Sequence, residues 1–295
     1  MKILLLSRYG SLGASSRVRF LQYLPYFQSQ GVEVTVKPLL SDTYLKALYN
    51  GGSRWRQVLK GYAIRVLALL TLRQYDVVII EKELFPFTPA IAERYLNLFG
   101  VPYVVDYDDA LFHRYDYHPN PWVRRLLGQK IDSVMRHAEC VTAGNRYLAE
   151  RAHKAGAKKV EIIPTVVDLN RYHPNKHKAD AAALTVGWIG TPQTSRYLKP
   201  LLPVFEALKQ EFPVRFVAVG ANPDDFGGTP VEAWSWTEDS EVESVQQFDI
   251  GIMPLEDSPW ERGKCGYKLI QYLACGVPVV ASPVGVNCEL SLIHI

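Results

Sequence analysis

Short apolar runs alternate with amphipathic segments along most of the chain. Compact apolar or alternating runs predict buried strands, and the segments between them repeat apolar residues at helical spacing. This alternation is typical of parallel sheets with crossover helices. The predicted strands are residues 3–6, 32–36, 77–80, 103–105, 185–189, 214–219, 250–253 and 277–281.

The predicted helices connect these strands. Residues 17–30, 200–211 and 268–274 have helical periodicity, and Gly31 and Gly276 stand where a glycine ends a helix. The strands form two sets, and a chain of 295 residues is long enough for two domains.

The gap between the two sets predicts the domain organisation. We expect an N-terminal domain over residues 1–165, a linker over 166–182 with a polar stretch at 175–180, and a C-terminal domain over 183–295. We find no short internal repeat or low-complexity run.

Composition narrows the function classes. The content of 48% hydrophobic and 21% charged residues is that of a globular protein, and a net charge of +3 gives no reason to expect a nucleic-acid partner. The four cysteines form no Cys-x-x-Cys pair, which suits a reducing compartment. The first apolar run is too short for a signal peptide, and no run is long enough for a membrane span, so we expect a cytoplasmic protein.

Residues 263–281 carry the most informative pattern: a glycine-bearing loop, a helix start, a glycine turn and a buried strand. Backbone N–H groups at such a helix start, with Lys264 and Lys268 beside them, favour a bound diphosphate. The same pattern is also typical of an ordinary crossover with two solvated lysines.

Four stretches resemble motifs of the family-four retaining glycosyltransferases, and they occur in that family's order over almost the whole chain. They are residues 162–174 (IIPTVVDLNRYHP), 186–190 (VGWIG), 249–254 (DIGIMP) and 271–281 (QYLACGVPVVA). The resemblance implies an α/β protein of the GT-B fold, with two Rossmann-like domains whose parallel sheets face each other across a cleft. It also implies a nucleotide-diphosphate sugar as co-substrate, no bound cofactor or metal, and sugar transfer to a hydroxyl with retained anomeric configuration.

The sequence departs from the family at two positions. The family usually carries two glutamates eight residues apart, which fall here on Gly263 and Gln271. The amide of Gln271 can still hydrogen-bond a ribose hydroxyl. Gly263 cannot replace a carboxylate, although Glu261 is close in sequence. This departure keeps two alternatives open: a non-catalytic sugar-nucleotide-binding partner subunit, and a GT-B-type sugar-nucleotide epimerase.

The resemblance also indicates which residues meet the donor. Arg196 and Lys268 are candidates for the charge that stabilises the leaving diphosphate, with Lys268 counted as catalytic. Arg196 also fits an ordinary solvent-facing arginine. The expected donor-binding residues are Gly190, Thr191, Arg196, Lys264, Gly266, Tyr267 and Gln271.

An acidic cluster follows the predicted strand 103–105. Open α/β sheets bind ligands at this end of their strands. A His-Asp pair of the family falls on Asp108 and Asp109, which we expect to act on the acceptor hydroxyl or on a developing positive charge. Helix capping is the structural alternative. Magnesium binding by Asp106, Asp108 and Asp109 is a further one, against which the resemblance counts.

The loop over residues 10–16 resembles the family's glycine-rich N-terminal loop. It lacks Gly-x-Gly-x-x-Gly, which argues against a nicotinamide or flavin site. We expect Gly13, Arg17 and Asp106 on the acceptor side. The acceptor class stays open among glycans, lipid-linked molecules and small molecules.

Residues 55–70 form a basic amphipathic segment. Such a helix can lie on an anionic membrane or guide a lipid-linked acceptor, which would make the protein peripheral on the inner face of the plasma membrane. It also fits a domain helix that buries its apolar face.

The end of the chain does not resemble the family. Members continue after residues 284–289 through further helices, whereas this chain ends LSLIHI. We therefore expect a truncated C-terminal domain with uncovered apolar surface and poor solubility.

Overall fold

Two compact units make up the structure. The computed structural model describes residues 1–49, 51–96, 100–175 and 183–291. The first unit comprises Met1–Thr165 and Arg262–Cys265, and the second comprises Val166–Glu261 and Gly266–Ile295. Of the predicted linker, residues 166–175 belong to the second unit, and residues 176–182 lie outside the described residues, as does the end of the chain at 292–295.

The first unit is built on a parallel sheet. Its strands, in the order β2-β1-β3-β4-β5-β6, are β1 (Lys2–Leu6), β2 (Glu33–Val36), β3 (Val77–Glu81), β4 (Tyr103–Tyr107), β5 (Cys140–Ala143) and β6 (Val160–Ile162). Its helices are α1 (Ala14–Arg19), α2 (Leu24–Ser29), α3 (Asp42–Tyr49), α4 (Trp55–Leu69), α5 (Ile91–Leu96), α6 (His113–Asp116), α7 (Pro121–Leu127), α8 (Lys130–His137) and α9 (Arg146–Ala155).

The second unit also has a parallel sheet. Its strands, in the order β11-β10-β7-β8-β9, are β7 (Leu184–Ile189), β8 (Val214–Val219), β9 (Val231–Trp234), β10 (Ile250–Met253) and β11 (Val279–Ala281). The helices of the later part of the chain are α10 (Leu202–Glu211), α11 (Glu241–Gln246), α12 (Pro259–Arg262), α13 (Tyr267–Ala274) and α14 (Val286–Ser291).

The strands are continuous apolar runs in the sequence, because both faces of each parallel sheet are buried under helices. In β4, Tyr103, Val105 and Tyr107 are fully buried, and the side chains of Leu4 and Leu6 in β1 belong to the same core. The second unit has its own core around Val219, Val245 and Tyr272. The predicted α/β class with parallel sheets is therefore confirmed.

Several predicted boundaries were wrong. The single helix expected over residues 17–30 is two short helices, α1 and α2, separated by a 3-10 turn at Leu21–Tyr23. The helix begins at Ala14, inside the stretch expected to be loop. The helix expected from residue 200 begins at Leu202, after a 3-10 segment, Ser195–Leu201, that contains Pro200. These are places where side-chain periodicity continues although the backbone hydrogen-bonding pattern changes.

Helix α4 exposes part of the apolar face that an ordinary domain helix would bury, although Tyr62 and Leu69 pack against the core. The ordinary arrangement would bury Trp55, Leu59 and Leu70, but these side chains are 59%, 60% and 77% exposed. The buried positions of α4 are instead Gly61, Arg65 and Ala68. In the described ranges, no helix combines the length and apolar character needed to cross a membrane.

Candidate functional site

Charged side chains collect in the first unit where β1, β3 and β4 end. These strands are neighbours in the sheet, so their carboxyl ends lie side by side. The charged residues at these ends are Arg8, Glu81, Lys82, Glu83, Asp106, Asp108 and Asp109. Asp108 and Asp109 are partly buried, and the other five residues are buried. Ion pairs and hydrogen bonds among these side chains hold the cluster together.

Asp108 is a carboxylate with two close polar partners. Its Oδ1 atom lies 2.8 Å from Lys82 Nζ, and its Oδ2 atom accepts a hydrogen bond from Ser15. Burial by itself would raise the pKa of Asp108, but the charge and hydrogen bond of Lys82, the hydroxyl of Ser15 and the charge of Arg19 outweigh it and hold the pKa at about 2. A carboxylate with this pKa is a weak proton acceptor near neutral pH.

Lys82 is held in an unusual backbone conformation. Its φ angle is 69°, in the left-handed region that residues other than glycine rarely adopt. Burial tends to lower the pKa of Lys82, but the charges of Asp108, Asp109 and Glu81 outweigh burial and raise it. Backbone strain of this kind persists where the surrounding structure enforces it, and it is common at functional sites.

Asp109 is the more accessible of the two aspartates. Its side chain is 29% exposed, and its oxygens lie 3.4 Å from Lys82 Nζ and 3.3 Å from Lys264 Nζ. The structure therefore brings the predicted residues Asp108, Asp109 and Lys264 together, with Lys82 between the two aspartates.

The segment Arg262–Cys265 packs closely against the rest of the first unit. Asn145 Nδ2 donates to the carbonyl oxygens of Gly263 and Lys264, each at 3.0 Å. A Cβ at position 263 would lie 2.5 Å from the Cβ of Ala110. A side chain does not fit there, which gives a physical reason for the glycine at a position where the resembled family carries glutamate.

Asp106 is engaged in a buried ion pair. Arg19 binds it through Nε at 2.9 Å and Nη2 at 2.5 Å, and Thr142 donates a further hydrogen bond at 2.5 Å. Its pairing is of the bidentate arginine–carboxylate type. The structure thus separates Asp106, which faces Arg19, from the pair Asp108 and Asp109, which faces lysines.

The N-terminal loop is held by its own contacts. A Cβ on Gly13 would lie 2.4 Å from the Cβ of Tyr9, so the chain here can only approach itself closely with glycine. Arg17 is buried, and its Nη1 donates to the carbonyl of Ser11 at 3.2 Å. Asp42 accepts the backbone N–H of Leu12 at 3.1 Å.

Glu81 and Glu83 are the sequence neighbours of Lys82, and both are buried. Glu81 accepts hydrogen bonds from the Arg8 backbone at 2.7 Å and the Ser16 hydroxyl at 2.6 Å, and burial raises its pKa. Burial would also raise the pKa of Glu83, but Lys130, at 2.5 Å, and Arg8 outweigh it and lower the pKa.

In the second unit, Gly190 follows β7. A Cβ there would lie 2.3 Å from the Trp188 ring, and the Gly190 amide donates to the Val219 carbonyl at 3.0 Å. The Thr191 amide donates to the Thr194 hydroxyl at 3.0 Å. Both predicted loop residues therefore shape the turn, and these amides already have acceptors inside the protein.

Lys268 lies over the indole of Trp188. Its Nζ atom is 4.2 Å from the ring centroid, a cation–π distance. Lys268 belongs to α13, whose N-cap Gly266 has a left-handed φ of 66°. A cation is thus placed over the ring of Trp188, near the carboxyl end of β7.

Gln271 is part of a buried polar cluster. Its Nε2 donates to Tyr172 Oη and to Glu241 Oε1, both at 3.1 Å. Glu241 also accepts hydrogen bonds from Tyr172 and from Trp236 Nε1, the latter at 2.7 Å. The predicted Tyr267 joins the cluster through its hydroxyl, 3.2 Å from that of Tyr172.

Arg196 is the most solvent-exposed of the predicted donor residues. Its side chain is 64% exposed, and Nη2 lies 3.6 Å from Glu261. Glu261 itself is buried and accepts hydrogen bonds from Tyr197 and Ser258. The carboxylate closest in sequence to Gly263 is therefore enclosed by its own partners.

Four residues of these clusters were not predicted from the sequence: Lys82, Arg19, Glu241 and Trp188. A signal was present for Lys82, because Glu81, Lys82 and Glu83 follow a buried strand just as the three aspartates do. Nothing local marked Glu241, whose partner Gln271 is 30 residues away. Among the described residues, no group of three or more histidine, cysteine or acidic side chains has a geometry that could hold a metal ion.

Two family models match the chain. One, described as a glycosyl transferase 4-like domain, matches residues 12–165, more than half of the chain. The other, described as glycosyl transferases group 1, matches residues 183–292.

A curated relative shares sequence with part of the chain. TuaH of Bacillus subtilis (strain 168), whose name provisionally assigns it to teichuronic acid biosynthesis as a glycosyltransferase, is 29% identical over 182 residues. The alignment covers 54% of this chain and 44% of the relative, so the chain matches less than half of that protein's length.

Solved structures share the fold. An α,α-trehalose 6-phosphate synthase from Burkholderia multivorans has a TM-score of 0.63 at 12% identity, covering 98% of this chain and 86% of that chain. An α-glucosyltransferase in complex with UDP and DNA has a TM-score of 0.59 at 15% identity, covering 95% and 79%. These neighbours are GT-B glycosyltransferases, and at such identities the likeness concerns the fold alone.

Proposed function

The chain belongs to the glycosyl transferase 4-like family, and from this premise we propose that it transfers a sugar from a nucleotide-diphosphate donor to a hydroxyl acceptor. We further propose that it acts as a family-four enzyme and retains the anomeric configuration. Its setting would be glycan or glycolipid biosynthesis, as the partial match to TuaH suggests. The cysteines form no Cys-x-x-Cys pair in the sequence, which suits a reducing compartment, and we propose that the protein acts in the cytoplasm.

The observation that carries this proposal is the position of Lys268. In transfer, the bond between the anomeric carbon and the diphosphate oxygen breaks, and the departing diphosphate gains negative charge. A lysine held over Trp188 at the end of β7 would stabilise that charge where parallel sheets bind their ligands. Arg196, which is exposed and near the same turn, would supply a second, movable cation.

The buried cluster of Gln271 supports a donor site in the same unit. Glu241 orients the amide of Gln271 and the hydroxyl of Tyr172, and Tyr267 extends this network toward partly exposed surface. We propose that this network binds the ribose of the donor. A buried carboxylate at Glu241 then orients the amide that stands where the family has glutamate.

In the first unit, we propose different roles for the two aspartates. Asp108, with a pKa of about 2, would remain an anion and stabilise a positively charged sugar centre. Asp109 is more exposed and would orient the acceptor hydroxyl. We assign Asp106 a supporting role through Arg19, and we propose that residues 1–165 carry the acceptor side and 183–295 the donor side.

The first test is a nucleotide-binding screen by thermal shift and calorimetry on the wild type, Lys268→Ala and the control Lys209→Ala, which removes an exposed lysine of α10. At a ligand concentration of roughly 100 Kd, one nucleotide-diphosphate family should stabilise the wild type by about 2.7 kcal/mol. Lys268→Ala should lose about tenfold or more in affinity, and Lys209→Ala should not. If no nucleotide binds the folded wild type, the donor-site proposal fails.

Product analysis separates the alternatives. A transferase releases nucleoside diphosphate only when it also forms a glycosylated acceptor. A non-catalytic partner subunit would bind donor without releasing diphosphate. An epimerase would invert one ring carbon of the donor sugar without any acceptor, and would release free sugar together with nucleoside diphosphate where water attacks the anomeric carbon. Either of these results would overturn the proposed transfer while leaving nucleotide binding intact.

A further inference from the structure

Helix α4 presents bulky apolar side chains to solvent. Trp55, Leu59, Leu67 and the C-cap residue Leu70 are each at least 59% exposed, and Val66 is 51% exposed. On a helix these positions fall on one side, because residues three, four, seven and eight apart share a face. The large exposed hydrophobic residues here form a continuous stripe rather than isolated positions.

The orientation of the helix is fixed by its opposite side. A Cβ on Gly61 would lie 2.0 Å from the carbonyl oxygen of Leu39, so the helix backbone packs directly on the chain there. Arg65 is buried, and its Nη2 donates to the carbonyls of Ser7, at 2.6 Å, and Lys37, at 3.2 Å. Rotating α4 to bury the stripe would break these hydrogen bonds. It would also move Gly61 away from its contact with the carbonyl oxygen of Leu39.

The charged residues of this segment of the chain all have one sign. From residue 43 to residue 75 the chain contains six lysines and arginines and no aspartate or glutamate. Arg54, Arg56, Lys60 and Arg73 are exposed.

Two of these cations lie at the helix start. Arg54 is the N-cap of α4, without a side-chain capping bond, and Arg56 lies in the first turn. Cations at a helix N-terminus oppose the helix dipole, so they give the helix itself no stability. Their placement suits an anion that comes from outside the protein.

From this surface we propose that α4 docks the protein on a lipid bilayer that contains anionic lipids. The apolar stripe would enter the boundary between head groups and acyl chains, and the cations would contact lipid phosphates. A second copy of the chain is a poor occupant, because a two-fold interface would place the same positive surface against itself. This inference does not depend on the proposed sugar transfer.

The test is co-sedimentation of the 295-residue chain, without substrates, with vesicles of phosphatidylcholine alone or mixed with phosphatidylglycerol. We expect strong binding to the mixed vesicles, weak binding to phosphatidylcholine, and loss of binding as salt increases. Arg56→Gln with Lys60→Gln should lower the partition coefficient about 25-fold, at roughly fivefold for each cation near an anionic surface.

An apolar variant tests the stripe itself. Leu59→Gln, Leu67→Gln and Leu70→Gln together should reduce binding by about 100-fold or more. Each substitution removes an apolar side chain that would move from water into the bilayer on binding. The matched control replaces three exposed apolar residues of the second unit: Leu169→Gln, Val204→Gln and Phe212→Gln. Circular dichroism and melting temperatures should match the wild type, since all these side chains are exposed.

Three results would overturn the proposal. The wild type could fail to bind mixed vesicles, or the stripe variant could bind as well as its control. The wild type could also form a dimer in lipid-free light scattering that the stripe variant abolishes, which would identify the stripe as a contact between copies. Because no nucleotide is present, none of these results bears on sugar transfer.

Discussion

At the scale of single residues, Lys82 joins two strand ends. It stands after β3 with a left-handed backbone, and its ammonium lies between the aspartates that follow β4. A buried ion pair stabilises a fold weakly compared with its hydrophobic equivalent, but removing one partner leaves an uncompensated charge. Removing the carboxylate of Asp108 would therefore leave the charge of Lys82 uncompensated, and removing Lys82 would do the same to Asp108.

The Asp108 carboxylate predicts a pH-dependent stability. Its folded pKa of about 2 lies below the ordinary 3.8, so its stabilising effect is complete above the ordinary value and is lost as the pH falls toward 2. The free energy of unfolding of Asp108→Asn should therefore lie furthest below that of the wild type above pH 4. This difference should shrink by about 2 kcal/mol on acidification. Urea unfolding over this pH range measures it.

The control for this experiment is Asp224→Asn, which removes an exposed aspartate. Its difference from the wild type should stay small at every pH. If the difference in unfolding free energy between Asp108→Asn and the wild type did not change with pH, the assigned ion pair would be contradicted.

At the scale of elements, α4 shows how a small residue sets the direction of a helix. Gly61→Ala would place a methyl group 2.0 Å from the Leu39 carbonyl oxygen. Alanine favours a helix by about 1 kcal/mol over glycine, but the overlap costs more, so we expect a net loss of roughly 2 kcal/mol. Thermal or urea unfolding measures it against Gly227→Ala, because a Cβ at that glycine meets nothing within 4 Å. Equal stability of the two variants would show that α4 does not pack as described.

At the scale of the whole molecule, each unit carries its own protected thiol. Cys265 belongs to the first unit and Cys275 to the second, and both are buried, whereas Cys140 and Cys288 are partly exposed. Burial raises the pKa of the Cys275 thiol to about 11 and also raises that of Cys265. The two buried thiols therefore report on the two units separately.

Thiol labelling of the native protein with Ellman's reagent should modify two cysteines readily, and the other two at least about 100-fold more slowly. All four should react in denaturant. If the second unit holds the donor, a saturating nucleotide should slow labelling of Cys275 more than that of Cys265, as mass spectrometry of the labelled peptides would show. Rapid native labelling of Cys265 or Cys275 would contradict the packing of its unit.

Much of the fold was predictable because its signals are local. The apolar runs of β1, β3, β8 and β10 exist because parallel strands are covered on both faces, and these strands were predicted almost to the residue. The break between α1 and α2 was not predictable in this way, because a 3-10 turn leaves the apolar periodicity nearly unchanged.

The candidate site was predictable in place but not in arrangement. The carboxyl ends of parallel strands located Asp106, Asp108 and Asp109, because a strand end can be recognised from its own residues. That Asp106 faces Arg19, 87 residues earlier, depends on contacts that no local pattern encodes. The same holds for Gln271 and Glu241 in the second unit.

By itself, the sequence determined the parallel α/β character of both units and the position of the strand-end residues, since periodicity and strand ends are properties of neighbouring residues. Only the tertiary structure decided which charges pair and which face of α4 is exposed. The apolar spacing of α4 would fit a buried face equally well. Its outward orientation follows from a glycine against the Leu39 carbonyl and a buried arginine between two strand ends, and both are contacts between distant parts of the chain.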